Sequence, residues 1–381
     1  MRILINNQNR LAPELRLLGH EVLTAGSGDH FDYQLTLGIR HIDSLLASLP
    51  NGFKPDRIVW HDNSAPLMIL GLEDCSIPSL MYSVDTHHHS YLHSHLADCF
   101  DHICVAQRDY LPEFHGFSTP VSWLPLWASE NIEPSSEKRF GAVFVGTLNS
   151  RLNPERVAFF DQLRNLVDIT VIQGHFPSIF PHAEIVVNQT VKGDLNFRVF
   201  ESMISGALLL TERSANGLLE LFNDGEHLVT YTPRDAQDAA DKIQDLLSSV
   251  SRARSIAERG REEVLIKHRP IHRALEVESI LRRMNSRQRP ARRHFGALMN
   301  ALNISTLLQT HSPAISVEMI RVALECGERG LKSGAVPTHN ETTALAQTCL
   351  VYDSMLADRR GTELLLAYAD TLANDVVVKA P

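Results

Sequence analysis

Residues Asn188–Thr211 read NQTVKGDLNFRVFESMISGALLLT, and this stretch decides the fold. It predicts a buried strand that ends near Asn188, a polar loop, a helix over Asn196–Ser205 and a second apolar strand over Ala207–Thr211. A helix between two such strands is typical of a parallel βαβ unit. In that unit the loop lies at the carboxyl end of a strand, where open α/β sheets bind their ligands.

The same alternation of short apolar runs and amphipathic stretches continues on both sides, in two groups. The first group has predicted strands over Arg2–Ile5, Glu21–Thr24, Arg57–Trp60, Ser79–Ser83, His102–Ala106 and Val121–Leu124. The second has them over Gly141–Gly146, Ile169–Gln173, Ile185–Asn188, Ala207–Thr211 and Leu228–Tyr231. Predicted helices between strands include Asp32–Ser48, Ser90–Cys99, Pro154–Leu166 and Gly217–Leu221. This order predicts an α/β protein with two successive Rossmann-like domains.

Two polar segments mark the expected boundaries. Trp127–Lys138 is predicted to be a linker, and the basic segment Ser286–His294 follows a long helical tract. Beyond it the pattern is helical only, over Ser316–Lys332, Glu341–Ala357 and Thr362–Ala373. The expected units are therefore two Rossmann-like domains over residues 1–126 and 139–285 and an all-helical extension over residues 286–381.

Composition excludes several classes of protein. The chain has 381 residues and a formal net charge of -9, which disfavours a nucleic-acid binder because such proteins carry a basic footprint. Its 5 cysteines form no CxxC motif, so we expect buried free thiols in a reducing compartment. No apolar run is long enough to suggest a transmembrane segment, and the polar N-terminus does not resemble a signal peptide. We expect a cytoplasmic protein; peripheral membrane contact stays open.

The loop before the Asn196–Ser205 helix carries the chemistry. It supplies Lys192, Gly193, Asp194 and Asn196, and Arg198 follows in the first helical turn. A helix N-terminus presents unpaired amides and a positive dipole end, so with two cations beside it this site suits a diphosphate. Glu201, three residues after Arg198, could accept hydrogen bonds from the two hydroxyls of a ribose. The alternative is that Arg198 and Glu201 simply pair on a solvated helix face.

A second phosphate candidate lies at FVGTLNSRLNPER, residues 144–156. A strand is followed here by Gly146, which lets a ligand approach the backbone, and by a helix that begins near Pro154. Arg151 and Arg156 could meet phosphate. Many α/β proteins have one glycine after a strand and bind nothing there.

Several segments resemble the CgeB-like (spore-protein-type) glycosyltransferases, relatives of the retaining family-4 enzymes. DLNFRVFESMISGALLLT with GLLELFNDGEHLVTY is similar to the signature of their C-terminal domain, and SVDTHHHSYLHSHLADCFDHICVAQRDYLPEF to motifs of their N-terminal domain. The resemblance covers roughly residues 55–270. It implies a GT-B fold, in which two Rossmann-like domains face a cleft. The second domain would hold the nucleotide-sugar donor and the first would face the acceptor.

The resemblance also implies roles for individual residues. Glu201 would bind the ribose, and Lys192 and Arg198 would lie near the diphosphate. Asp85 and His87 match the Asp-Thr-His element and are the expected catalytic residues. The full donor-binding set is then Gly146, Arg151, Asn188, Lys192, Asp194, Asn196, Arg198 and Glu201. One departure is that family 4 has two glutamates seven residues apart, whereas here the first role is vacant at Gly193 or taken by Asp194.

The histidine-rich segment Val84–His95, VDTHHHSYLHSH, also allows a metal site. His89 and His93 share a helical face, with His88, His95 and Asp85 nearby. Adjacent histidines point in different directions, so we expect mostly solvated surface histidines, no metal ligands and no required cofactor or divalent metal. The triplet at His61, Asp62 and Asn63 could touch the acceptor or cap a helix from Ala65; the cap is favoured.

The expected function is that of a hexosyltransferase-type glycosyltransferase that moves a sugar from a nucleotide-sugar donor to a glycan, protein or small-molecule acceptor. The resemblance implies a retaining reaction, and because no DxD metal clamp is evident in the sequence we expect the reaction to be metal-independent. A catalytically inactive nucleotide-sugar-binding or interaction module that uses the helical tail stays possible, as does a nucleotide-sugar epimerase. The tail itself either shapes acceptor binding, promotes self-association or binds a protein partner, or caps the C-terminal domain. The nucleotide base, the sugar, the acceptor and the oligomeric state stay open.

Overall fold

The computed structural model of the chain describes residues 1–64, 67–128, 132–284 and 289–378. Its first half is built on a seven-stranded parallel sheet. The strands are β1 (Arg2–Asn6), β2 (Glu21–Gly26), β3 (Tyr33–Gln34), β4 (Arg40–His41), β5 (Arg57–His61), β6 (Ile69–Leu70), β7 (Ser79–Ser83), β8 (His102–Val105) and β9 (Val121–Trp123). Their order is β3-β2-β1-β5-β7-β8-β9, and β4 and β6 pair separately. Helices α1 (Ala12–Leu17), α2 (Ile42–Ala47) and α3 (Thr86–Leu96) connect them.

The second half contains a five-stranded parallel sheet of order β11-β10-β12-β13-β14. Its strands are β10 (Phe140–Val145), β11 (Thr170–Ile172), β12 (Ala183–Asn188), β13 (Leu208–Glu212) and β14 (Val229–Tyr231). Its helices are α4 (Pro154–Leu166), α5 (Phe197–Ile204), α6 (Leu218–Leu221), α7 (Ala236–Ser248), α8 (Val250–Lys267) and α9 (Pro270–Arg283). The chain reverses direction across the sheet between β10 and β12, so a crevice opens at their carboxyl ends.

Every strand predicted in the two sheets is present, because buried parallel strands are continuous apolar runs. The helix predicted over Asp32–Ser48 is wrong for most of its length: only α2 is helical there. The Asp32 carboxylate accepts hydrogen bonds from the Thr24 backbone amide and hydroxyl, both at 2.8 Å, which ties the segment to β2. Gly38, with φ of 144°, then breaks any helical path. The helix predicted from Ala65 is also wrong, since residues 67–70 form a loop and β6; Ala65 itself lies outside the described residues.

The helical extension comprises α10 (Arg293–Leu308), α11 (Pro313–Lys332), α12 (His339–Leu356) and α13 (Arg360–Val378). It docks on the first half of the chain. Buried Glu341 on α12 accepts from His95 Nδ1 on α3 at 2.9 Å, and buried Arg289 donates to Asp101 at 2.9 Å. A Cβ on Gly296 would lie 2.5 Å from the His95 carbonyl oxygen, so α10 crosses α3 in close contact. These contacts place the tail on the first domain; the alternative of a cap on the C-terminal domain is wrong.

Helix α9 returns the chain to the first sheet. Val277 and Leu281 share one buried cluster with Ile3 of β1, and Arg57 Nε donates to the Leu281 carbonyl at 2.8 Å. The predicted domain limits stay a prediction, but the packing shows that residues from the second predicted unit complete the core of the first. All 5 cysteines are buried free thiols, as expected. In the described part of the chain, each helix is too short or too polar to cross a membrane.

Candidate active site

Arg198 lies across the crevice in the second sheet. Its Nε donates to the Val145 carbonyl at 3.2 Å, at the end of β10, and its Nη1 donates to Asn188 Oδ1 at 2.7 Å, at the end of β12. Its Cζ is 4.7 Å from the centre of the Phe144 ring. Burial lowers the Arg198 pKa to about 10, which still leaves a full positive charge at neutral pH. The surface-pair alternative is therefore wrong, because this guanidinium is turned into the sheet and not onto a solvated helix face.

Gly146 makes room for that guanidinium. A Cβ at this position would lie 2.7 Å from Phe144 Cζ and 2.8 Å from Arg198 Nη2, both closer than real side-chain carbons approach. The sequence predicted Gly146 as a place for a ligand to approach the backbone. The structure gives a second reason for glycine at this position. Any larger residue would collide with Phe144 and with Nη2 of Arg198, so only glycine lets that nitrogen lie at the strand end.

Among the described residues, no side chain caps the N-terminus of α5. Asn196 occupies the cap position with extended backbone, but its side chain turns away and donates from Nδ2 to Asn188 Oδ1 at 3.3 Å. Asn188 is fully buried and also donates to Thr211 Oγ1 at 3.0 Å. Within the described residues, the amides of Phe197 and Arg198 are thus left for another acceptor, whereas that of Val199 donates to the Asn196 carbonyl at 3.2 Å. Free amides at a helix N-terminus are the arrangement that binds phosphate groups. Glu201 lies half-buried on the same helix, one turn after Arg198.

The loop before α5 joins the two halves of the chain. Lys192 and Gly193 both have left-handed backbone, with φ of 53° and 73°. Buried Asp194 closes the turn by accepting from the Val191 amide at 2.6 Å, and burial raises its pKa. Lys192 Nζ reaches the His87 carbonyl of α3 at 3.4 Å. The loop therefore brings the two predicted sets of site residues to one cleft, while Asp194 is occupied in holding the loop.

The two other arginines predicted near phosphate have different environments. Arg151 is exposed in a turn, where its backbone amide donates to Asn149 Oδ1 at 2.9 Å. It takes no part in the hydrogen-bond network that the described residues form around Arg198. Arg156 is buried, and its guanidinium donates to Gln189 Oε1 at 2.9 Å and to the Gln189 carbonyl at 3.0 Å. Its bonds thus hold the segment after β12, so we assign it a structural role.

Asp85 stands at the end of β7, where α3 begins. Burial, followed by the negative charge of Asp62, raises the Asp85 pKa to about 6. Asp62 holds this corner together: it accepts from the amides of Asp85 at 2.9 Å, Val84 at 3.2 Å and Ser64 at 2.9 Å. Sequence reasoning missed this role, although a polar triplet after an apolar strand was the available signal. Asp62 thus fixes the position of Asp85 at the cleft.

His87 follows in the first turn of α3 and is buried. Burial, followed by the positive charge of His88, lowers its pKa to about 4, so the imidazole is neutral at physiological pH. The expectation of solvated histidines is wrong for much of this helix, since His93 and His95 are also buried. His93 Nδ1 lies 2.7 Å from Ser83 Oγ. Within the described ranges, no three His, Cys, Asp or Glu side chains converge as a metal site; metal independence itself stays a prediction.

A cavity of about 200 Å³ separates the two halves at this point. Asp62 and Asp85 line it from the first half, and Asn196 and Phe197 line it from the second. Arg10, in the loop after β1, also lines it, with Cζ 4.3 Å from the centre of the Phe197 ring. Sequence reasoning missed Arg10, although a polar loop after the first strand faces the same crevice by topology. The cleft thus has Asp62, Asp85 and Arg10 on the wall from the first half, and Asp194 with the first turn of α5 on the wall from the second.

Comparisons with known proteins agree with this geometry. Residues 157–279 match the model of a protein family described as "Glycosyl transferase-like". HepE of Anabaena, solved in complex with UDP-glucose, aligns over 74% of this chain and 100% of its own, with a TM-score of 0.58 and 12% identity. Sucrose-phosphate synthase of Thermosynechococcus elongatus aligns over 74% of this chain and 98% of its own, with a TM-score of 0.52 and 13% identity. A glycosyltransferase of Rickettsia africae aligns over 74% of this chain and 97% of its own, with a TM-score of 0.52 and 11% identity.

At identities this low the likeness shows the fold alone, and that fold is the GT-B arrangement of two parallel α/β units. No curated protein sequence matches the chain significantly. The family match falls on the half of the chain that contains α5, Arg198 and Glu201. The candidate diphosphate site thus lies within the segment that matches the glycosyl transferase-like family.

Proposed function

We propose that the protein is a glycosyltransferase of the CgeB-like type, a relative of the retaining family-4 enzymes, which transfers a sugar from a nucleotide-sugar donor to an acceptor hydroxyl. One observation carries the proposal: the N-terminus of α5, which no described side chain caps and which has Arg198 beside it, faces Asp85 across the cleft. The glycosyltransferase-like family match over the same half of the chain supports it. The three units predicted from the sequence would then be acceptor domain, donor domain and tail.

The donor diphosphate would rest on the free amides of α5. Negative charge builds on the leaving phosphate as the sugar departs, so the cations at this end of the helix stabilise the transition state. Arg198 supplies a positioned charge at the strand ends, and Lys192 and Arg10 supply charge from the loop and from the opposite wall. Glu201 would accept from the ribose hydroxyls. Because the cavity is narrow, bound donor is shielded from water, which limits hydrolysis.

Asp85 and His87 would act on the sugar side of the cleft. Ionised Asp85 can accept a hydrogen bond from a sugar or acceptor hydroxyl, and neutral His87 can orient a second one. In a retaining reaction of this kind the leaving phosphate itself takes the acceptor proton, so no side-chain nucleophile is required. We propose that this chemistry runs without a metal and in the cytoplasm. Activity is then expected to persist in the presence of a chelator.

Donor binding tests the proposal first. A thermal-shift screen with UDP, UDP-glucose and the other common nucleotide sugars should find one that stabilises the fold by ~2.7 kcal/mol at a hundred times its dissociation constant. UDP-glucose is the first probe because HepE was solved in complex with it. Glu201→Ala should weaken affinity by about 100-fold, because two charge-assisted hydrogen bonds are lost. The matched control is Glu262→Ala, an exposed glutamate on α8, which should respond as the parent does. Equal responses from both variants would place the site elsewhere.

Product analysis separates the alternatives. Slow release of nucleoside diphosphate and free sugar from the bound donor supports a transferase, which hydrolyses its donor when no acceptor is present. A donor that binds but is never turned over favours an inactive binding module. A donor that returns as its sugar epimer, with the nucleotide still attached, favours an epimerase.

The pH dependence should report Asp85. If its carboxylate accepts a hydrogen bond in the reaction, kcat/KM should level off above a pH of about 6 and fall below it, towards tenfold per pH unit, within the pH range where circular dichroism shows the protein still folded. Asp85→Asn should lower kcat/KM and remove this limb while leaving the donor thermal shift in place. An unchanged acid limb in Asp85→Asn would exclude Asp85 as the titrating group.

A further inference from the structure

A second and larger cavity lies between the tail and the first half of the chain. Its volume is about 470 Å³, and helices α3, α10, α11 and α12 surround it. This is within the range of ligand sites in proteins, about 300–1,000 Å³. Its lining contains no Asp, Glu, Lys, Arg or His. We call it the tail pocket.

The walls of the tail pocket are apolar. Leu92 of α3, Met299 of α10, Ile320 of α11 and Val351 of α12 come from its four helices. Its serine and threonine hydroxyls are already used within the protein: Ser305 and Ser316 bond to each other at 2.9 Å, and Thr348 donates to the Ala344 carbonyl at 2.7 Å, as Thr306 does to the Leu302 carbonyl at 3.0 Å. A ligand in this pocket would therefore contact mainly apolar side chains. Because no charged side chain lines the pocket among the described residues, phosphates, nucleotides and ionised acids are disfavoured as ligands.

Three side-chain amides give the pocket its polar part. Asn303, Gln309 and Gln347 line it, and within the described residues none of the three makes a side-chain hydrogen bond. Neutral amides can both donate and accept. A matching ligand has a hydrocarbon body and a few uncharged polar groups such as hydroxyls.

Helix α3 connects this pocket to the catalytic cleft. Asp85 and His87 stand at its start, whereas Tyr91 and Leu92 line the tail pocket. Tyr91 follows His87 by four residues, which is about one helical turn, or about 6 Å along the axis. A molecule whose hydroxyl lies beside Asp85, at the start of α3 in the cleft, would extend along this helix to place an apolar portion in the pocket.

We propose that the tail pocket binds the apolar portion of the acceptor, which is a neutral molecule with an alkyl chain or comparable hydrocarbon group beside its reactive hydroxyl. This assignment rests on the proposed function for the acceptor role, but binding in the pocket does not. The tail then builds the half of the acceptor site that the two α/β units lack.

Paired alkyl glycosides test the proposal. Octyl β-glucoside, below its micelle concentration, should bind the full chain at least about tenfold more tightly than methyl β-glucoside, because each buried methylene contributes favourably. Val351→Glu, which puts a charge at the pocket mouth, should remove this preference. The matched control is Leu350→Glu: the neighbouring residue is 63% exposed, lies on the same helix and does not line the pocket, so the preference should remain. Calorimetry measures all three proteins.

Transfer assays then test the acceptor role. In a panel of methyl and octyl glycosides, each octyl glycoside that accepts sugar should have a kcat/KM at least about tenfold above its methyl partner, and Val351→Glu should abolish the difference. Val351→Glu and Leu350→Glu should both bind the nucleotide-sugar donor as the parent does. A parent protein that binds no donor would contradict the proposed function but would leave alkyl binding in the tail pocket unaffected. Equal binding of octyl and methyl glucosides, or octyl binding that ignores Val351→Glu, overturns the pocket. Octyl binding that depends on Val351 but has no effect on transfer overturns the acceptor role.

Discussion

Arg198→Ala is expected to lower the free energy of unfolding by ~2–4 kcal/mol and to abolish measurable donor binding. The stability loss follows because the Val145 carbonyl loses this donor and the buried Asn188 Oδ1 keeps only the longer bond from Asn196 Nδ2, at ~1–3 kcal/mol for each lost bond. The affinity loss follows because the buried cation that joins both strand ends would be gone. Urea denaturation and calorimetry with UDP-glucose measure the two effects separately.

Arg198→Lys separates charge from geometry. Lysine keeps the positive charge but cannot donate to β10 and β12 at once, because its ammonium is a compact point charge and not a planar fork. We expect an intermediate loss of stability and a donor affinity reduced by about 10–100-fold. Arg151→Ala is the matched control: its side chain is exposed in the neighbouring loop, so its stability should stay within about 0.5 kcal/mol of the parent. An Arg198→Ala protein as stable as the parent would contradict a stabilising role for the hydrogen bonds of Arg198 to Val145 and Asn188.

Acid should unfold the protein between about pH 6 and pH 4. Five histidines are buried in the neutral form: His61, His87, His93, His268 and His294. Burial is the largest cause in each case, and it lowers the pKa to about 3 for His268 and to about 4 for the others, from an ordinary 6.5. For four of them one ring nitrogen has no hydrogen-bond partner within the described residues, so a charged ring would be unpaired.

The sign follows from proton linkage. Between about pH 6.5 and 4 the unfolded chain binds protons at these histidines and the folded chain does not, so stability is lost as pH falls. Each group contributes on the order of 1–3 kcal/mol once solvent screening is allowed for, and five together are comparable with the usual ~5–15 kcal/mol of a folded protein. Asp85, Glu14, Glu73 and Asp194 act in the opposite direction, since burial raises their pKa values and the folded state binds the proton. Carboxylates whose pKa is lowered in the fold, such as Asp32 and Glu341, act in the same direction as the histidines.

Circular dichroism against pH measures this transition. His294→Gln, on α10 and away from the cleft, should move the unfolding midpoint to lower pH, because one group no longer has to take up a proton. His311→Gln is the matched control, because His311 is exposed in the loop before α11 and should leave the midpoint in place. A protein that stays folded at about pH 4 with all five histidines present would contradict their neutral burial.

Much of the fold could be predicted from the sequence because most of its strands are short, continuous apolar runs. Runs such as residues 57–60 and 207–211 are mostly apolar, as central parallel strands must be, and their spacing leaves room for a crossover helix each time. The polar loop before α5 was identified for the same reason: it follows such a strand. Helix α10 and the short α1 were missed. In both cases the apolar residues did not stand out as one stripe, and burial comes from neighbours distant in sequence.

The parts of the site that the sequence did not predict all depend on three-dimensional contacts. No local pattern indicates that Arg198 turns inward to Val145 and Asn188, which are 53 and 10 residues away. Asp62 fixes the backbone at Asp85 by accepting from the amides of Val84 and Asp85, which are 22 and 23 residues further along the chain. The docking of the tail on α3 is equally non-local, since it rests on a histidine and a glutamate separated by 246 residues. Periodicity predicts elements, whereas these contacts arise only when the elements pack.

The central claim is that a nucleoside diphosphate binds at the N-terminus of α5, with its ribose on Glu201. A crystal structure of the protein grown with UDP tests this most directly. We expect phosphate density within hydrogen-bond distance of the first amides of α5, beside Arg198, with both ribose hydroxyls on the Glu201 carboxylate. Nucleotide density at the strand ends of the first sheet or in the tail pocket, with the α5 N-terminus left to solvent, would contradict it.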